Sequence, residues 1–258
     1  VAPTLAHDTA GTIAEAERLW QRVDRPNTMI KIPGTREGLP AITHCLAQGI
    51  NVNVTLLFAV ERYREVVDAF MTGLERRLAA GHTIDRLFSV ASFFVSRVDG
   101  QADPIIAAAG DAGAALRHRI AIANAIAAWL ALQESRTSAR WRKLSAVGAK
   151  VQRPLWASTS TKNPSLSDVY YVEALIAPDT VNTLPPETFA AYGNHGDPVL
   201  RITGDAIGRA LGDLAAFDGL GTPLADRTAW LETDGVTKFA ASWTALLLIL
   251  AFYSTDFW

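Results

Sequence analysis

The sequence predicts an α/β fold built on a parallel sheet, on three observations. Short β-branched runs alternate with longer stretches whose apolar residues recur at helical spacing, the pattern of strand–helix crossover units. The chain has 258 residues, 49% of them hydrophobic, enough to bury the core of one large domain. None of the strand-like runs is followed by a glycine-rich dinucleotide turn or a P-loop, which argues against a nucleotide-binding doubly wound sheet.

The elements follow in order. TAGTIAEAERLWQRV spaces Ile13, Ala16, Leu19, Trp20 and Val23 along one helical face, with Thr9 or Thr12 as its expected cap. A β-like run at about 28–33 leads into a helix within TREGLPAITHCLAQG, stopped by Gly49. INVNVTLLF, about 50–58, is the clearest strand, because β-branched residues alternate with Asn51, Asn53 and Thr55. VERYREVVDAFMTGLERRLAAG is a long amphipathic helix ending at Gly81. A strand is expected at about 88–97, then helices from about 102 to 147. A strand at about 153–159 runs into the loop STKNPS, SDVYYVEALI forms a short helix, and a fifth strand falls at about 180–185. The remainder is mostly helical, with no repeat of 20–50 residues.

Charge and composition narrow the function. Twenty-four Lys and Arg against 26 Asp and Glu give a net charge of −2, so nothing global draws the chain to nucleic acid or an acidic membrane. An anion site has to be built locally. The single cysteine, Cys45, reads as a small buried hydrophobe and fits a reducing cytosol. The start, VAPTLAHDTAG, has neither the basic nor the apolar region of a signal peptide. The longest apolar run, TALLLILAFY, falls short of the roughly 20 residues that span a bilayer and reads as a docking helix. The histidines are too scattered for a metal site.

The polar residues inside the strands carry the functional information. Lys31, Asn53, Thr55, Ser92, Arg97 and Ser158 lie within or at the C-terminal ends of different strands. In a closed parallel barrel those ends converge on one mouth, where active sites are built. The alternative is a structural network in which these groups satisfy one another. Lys31 stands in MIKIP, the middle of a strand. Burial there lowers an ammonium pKa, and a neutral amine forms Schiff bases with carbonyl substrates; the competing reading pairs it with a strand carboxylate. STSTKNPS supplies hydroxyls and Lys162 directly after a strand, and Arg97 adds a second cation. Together they suit a phosphate monoester, and with a Schiff-base lysine they point to aldol chemistry on a sugar phosphate.

MIKIPGTREGLPAI, GINVNVTLLF, SVASFFVSRVD, QRPLWASTSTKNPSLSDVYYVEALIAPDTVNTLPPET and DGVTKFA closely resemble transaldolase, in particular the bacterial branch with the LWASTSTKNP signature. The resemblance runs from about residue 1 to 246. It implies an α/β fold of (β/α)8 TIM-barrel type, of which about five strands are present here, with extra C-terminal helices. It implies transfer of a dihydroxyacetone unit from fructose 6-phosphate or sedoheptulose 7-phosphate to an aldose phosphate, in the pentose phosphate pathway of the cytoplasm, with no metal or organic cofactor. By the same resemblance Lys31 is the Schiff-base lysine, and Asn53 and Thr55 contact the donor hydroxyls and hold a catalytic water. Ser92 and Phe94 line the sugar pocket, Arg97 binds phosphate and Ser158 lies near it. Lys162 is our candidate for a second phosphate cation, from charge and position alone.

The family also supplies an Asp on the first strand and a Glu on the third, and the resemblance starts after both. The expectation is therefore of an N-terminally incomplete barrel portion over 1–246 and an apolar tail over 247–258. A missing N-terminal segment or a complementing chain would complete it. Sugar phosphates are the expected partners, with neither nucleic acid nor membrane. A related Schiff-base aldolase and a non-catalytic, transaldolase-derived module are the alternatives.

Overall fold

A computed structural model describes residues 1–255, with side-chain surroundings through residue 251. Five strands, β1 (Ile30–Pro33), β2 (Val52–Leu57), β3 (Ser89–Phe94), β4 (Arg153–Ala157) and β5 (Val181–Asn182), pair in parallel in chain order. An order without reversal is that of a barrel wall, whereas a doubly wound sheet switches direction. Among the described residues β1 and β5 each have one strand neighbour, so the sheet is an open arc.

Ten helices accompany the described strands: α1 (Thr9–Val23), α2 (Gly38–Ala47), α3 (Val60–Ala79), α4 (Ser96–Ala108), α5 (Ile120–Arg136), α6 (Ala139–Ala146), α7 (Tyr170–Ala174), α8 (Pro186–His195), α9 (Gly204–Asp218) and α10 (Leu224–Thr255). Three of the expected boundaries change. The cap of α1 is Asp8, whose carboxylate accepts from Gly11 N at 2.9 Å; Thr9 already lies inside the helix. The third strand stops at Phe94 because Val95 leaves the extended region, and α4 begins at Ser96. Arg97 therefore sits in the first turn of a helix. β5 shrinks to two residues, since Pro185 and Pro186 follow closely and cannot donate to a ladder.

The core lies between the outer face of the sheet and the helices. Ile32, Val52, Val54, Leu57, Ala91, Phe93 and Trp156 are at most 1% exposed. Phe93 meets Tyr63 of α3 and Trp156 edge-on, at 6.1 and 6.3 Å between ring centroids. The Trp156 indole donates to Leu175 O at 3.1 Å, so the ring is buried without an orphaned donor. Cys45 is fully buried here, and burial pushes its thiol up to about 12.

Strand β2 carries a bulge. Its register with β3 shifts between Val54 and Leu57, and Leu56 adopts φ 62, a left-handed conformation uncommon for a residue with a side chain. Before the bulge Asn53 and Thr55 point to the inner face. After it Leu57 pairs with Phe93 of the outer layer, while Phe58 turns inward against Phe94 at 5.2 Å.

The first half of α10 docks on this inner rim. Leu231 is buried, and a Cβ on Gly235 would come within 3.0 Å of Leu56 Cδ2, so the glycine allows the close crossing. Arg62 of α3 meets Glu232 at 3.4 Å. The later part behaves differently. Leu246, Leu247, Leu248, Ile249 and Leu250 are 46–67% exposed, so this apolar run does not dock as expected. Leu224–Ala251 as a whole is long and apolar enough, by length and composition, to cross a bilayer, because the helix extends well beyond the run itself. Residues 256–258 of the expected tail lie outside the described residues.

Candidate functional site

Strand alternation assembles one polar row on the inner face. Lys31 lies opposite Asn53 in the β1–β2 register. On β3, Ser92 donates its hydroxyl to Asn53 Oδ1 at 2.7 Å. That bond occupies the amide oxygen, and among the described residues the amide N–H donors have no hydrogen-bond partner. Thr55, two residues beyond Asn53, is 7% exposed, and its buried Oγ1 has no hydrogen-bond partner. A buried hydroxyl left in this state costs about 1–3 kcal/mol, so the position is held at some expense to the fold.

Lys31 departs from the expectation of a buried amine. It is exposed. Partial loss of hydration still lowers its pKa from the ordinary lysine value, and no other cause contributes. Among the described residues no carboxylate lies within ion-pair distance of it, so the carboxylate-paired reading finds no partner. Its carbonyl, on the outer edge of β1, accepts from the Val1 nitrogen at 2.8 Å.

A second group gathers where β3 and β4 end. Phe94 is 5% exposed, and its ring lies 5.3 Å from the Arg97 guanidinium carbon. Ser158 follows β4 with φ 56. Its hydroxyl lies 3.1 Å from that of Ser96, and its carbonyl accepts from Ser96 N at 3.0 Å. Ser96, Arg97 and Ser158 thus share one corner. Lys162 stands apart: it is exposed in the following loop, beside Thr161, Asn163 and Asp168 on a shallow cleft. The loop is tied down by Asn163, which donates to His118 Nε2 at 3.1 Å and accepts from Ser165 N at 2.9 Å.

Three contributors were not read from the sequence as site residues. Ser96 falls inside the strand expected at about 88–97. Phe239 of α10 lies 5.9 Å from the Arg97 guanidinium carbon; its one signal was the quoted DGVTKFA. Asp99, two residues after Arg97, is 3% exposed. Ala121 N donates to it at 2.7 Å and the Tyr171 hydroxyl at 2.8 Å, and burial pushes its carboxyl up to about 6. No pattern in the polar first turns of α4, SRVDGQ, singles this acid out. A cleft of about 230 Å³ lies elsewhere, between α5 and α9, with Arg119, Tyr170, Arg209 and Asp213 on its walls.

A parallel barrel wall with a single unpaired lysine among hydroxyls and an amide defines a class of α/β proteins equipped for carbonyl chemistry. Residues 1–250 match the family model described as Transaldolase/Fructose-6-phosphate aldolase, and the chain belongs to that family. It is 54% identical over 252 residues to the transaldolase of Parafrankia sp. (strain EAN1pec), covering 96% of this chain and 67% of that protein. The transaldolase of Acidothermus cellulolyticus is 53% identical over 250 residues (95% and 66%) and that of Saccharopolyspora erythraea 52% over 251 (96% and 67%). The chain thus spans about two thirds of the length of these relatives. Membership places it among enzymes that transfer aldehyde or ketone residues.

Proposed function

We propose that this protein is a transaldolase working through a Schiff base on Lys31. The observation that carries the reading is the inner row itself: an amine with a lowered pKa and, among the described residues, no carboxylate partner, beside Asn53, Ser92 and the orphaned Thr55 hydroxyl. The amine attacks the ketone carbon of a ketose phosphate, and loss of water gives an iminium. The iminium takes up the electron pair as the C3–C4 bond breaks and the aldose phosphate leaves. The three-carbon enamine stays attached until an acceptor aldehyde reforms the bond. The Asn53 N–H donors and Ser92 hold the donor hydroxyls, and Thr55 holds the water that carries protons. Arg97 and Ser158 receive the phosphate, with Lys162 as the outlying second cation. Fructose 6-phosphate or sedoheptulose 7-phosphate are the donors, and a cytoplasmic place in the pentose phosphate pathway goes with that choice.

The open arc enters the proposal too. Further strand–helix units, from a preceding segment or a complementing chain, would close the barrel over 1–246, cover Lys31 and bring the missing carboxylates. Residues 247–258 would form an appended tail, beginning within the exposed apolar run of α10. Borohydride reduction with fructose 6-phosphate tests the chemistry: a three-carbon adduct on Lys31, found by peptide mass mapping, is expected, and its absence in a closed barrel counts against the reading. Product analysis with and without erythrose 4-phosphate separates transfer from simple aldol release. The exposure of Lys31 favours one second reading, a non-catalytic transaldolase-derived module. A native mass no larger than this chain, with no adduct, would support it.

A further inference from the structure

We propose that Phe239, on the docked half of α10, is a positioning residue that holds the Arg97 guanidinium ready for a phosphate. The inference rests on the reading above that Arg97 takes the phosphate of the substrate. The guanidinium carbon lies 5.3 Å from the Phe94 centroid and 5.9 Å from that of Phe239, and the two rings stand edge-on to each other at 6.5 Å and 88°. Both distances are within the roughly 6 Å at which a ring face attracts a cation.

What Arg97 lacks matters equally. Arg140 is committed to Asp68 and Glu75, Arg119 to Asp213 and Arg136 to Asp179. Arg97 has no carboxylate partner among the described residues. An acid would occupy the fork of N–H donors and compete with a phosphate for it. Aromatic rings fix the plane of the guanidinium and leave those donors free for a bidentate anion. Phe94 comes from the strand, but Phe239 arrives from far along the chain. It is put in place by Gly235 on Leu56, the Arg62–Glu232 pair and buried Leu231. Lys238, next to it, is engaged with Asp234 at 2.7 Å and does not take over the role.

The test is titration with inorganic phosphate by calorimetry on the wild-type chain and on Phe239→Leu, Phe239→Tyr and Arg97→Leu. Phe239→Leu keeps apolar volume and removes the π face; Phe239→Tyr keeps the ring. The expected result is no measurable binding for Arg97→Leu, about fivefold weaker binding for Phe239→Leu, and near wild-type binding for Phe239→Tyr. In borohydride trapping, the half-saturating concentration of fructose 6-phosphate rises by the same factor in Phe239→Leu, while that of unphosphorylated fructose stays unchanged. Wild-type phosphate affinity in Phe239→Leu, or equal losses in the Leu and Tyr variants, overturns the inference. So does a loss shared equally by both ketoses, which marks a merely structural role. Undiminished phosphate binding by Arg97→Leu overturns it together with the phosphate reading. Absence of any Lys31 adduct in a closed barrel counts against the Schiff-base reading alone, since the phosphate titration still judges Phe239.

Discussion

The two faces of the sheet are built from the same five strands to opposite specifications. The outer face, with Ile32, Val54, Phe93 and Trp156, is sealed by helices and its one indole donor is satisfied. The inner face presents Lys31, Asn53, Thr55 and Ser92, leaves Lys31 in solvent and leaves the Thr55 hydroxyl without a partner. The outer face holds the fold. Among the described residues the inner face keeps the Lys31 amine and the Thr55 hydroxyl uncommitted, and uncommitted groups are what a substrate needs. If that division is right, changes on the two faces separate stability from chemistry.

The largest separation is expected at Lys31. Lys31→Met removes the amine, so the borohydride adduct disappears entirely while the urea midpoint stays within error of the wild type. Trp156→Ala does the reverse. It should lower stability by about 3–5 kcal/mol, read by urea unfolding, and reduce the adduct only as far as the folded fraction falls. Thr55→Val sharpens the comparison. Removing an unsatisfied hydroxyl leaves stability unchanged or slightly raised, yet single-turnover trapping should slow by about 100-fold if that hydroxyl holds the proton-carrying water. A Thr55→Val variant that unfolds more readily would move Thr55 to the structural side.

The smallest effect concerns Asp99, which sits behind the site. Its carboxyl is raised to about 6 in the folded chain by burial, above the unfolded value near 3.9. Between those values the folded state binds more protons than the unfolded state. Asp99 therefore makes stability fall as pH rises from about 4 to about 6, by an amount on the order of 2 kcal/mol. Glu15, Glu37 and Glu75, whose carboxyls are lowered mainly by side-chain hydrogen bonds from Arg18, His7 and Arg140, act in the opposite direction. The measurable quantity is thus the difference between wild type and Asp99→Asn, whose amide can still accept from Ala121 N. Chemical denaturation at pH 4, 5 and 6 should show the variant gaining relative to wild type as pH rises.

Much of this was legible in the chain, for reasons that differ by residue. Strand and helix alternation fixed the sheet because its outer face is a continuous apolar layer. Lys31 and Asn53 were legible because a polar side chain in an apolar strand needs an explanation. The exposure of Lys31 was not legible: it depends on what covers the inner face, and no local pattern encodes that. Arg97 was assigned to a strand end because SFFVS continues the β-like composition, whereas the turn at Val95 is a backbone event. Phe239 was hidden by distance along the chain. An aromatic residue in an apolar helix looks the same whether it fills a core or steadies a cation.

The extra residue at Leu56 has one more consequence. It acts like a frameshift in the strand's code: odd-numbered positions look inward up to Thr55, and even-numbered ones from Leu56 onward. Anyone recoding this strand by simple alternation would point Leu57 at the inner face and send Phe58 into the helices. Deleting that single residue would scramble the wall of the site without touching one of its polar groups.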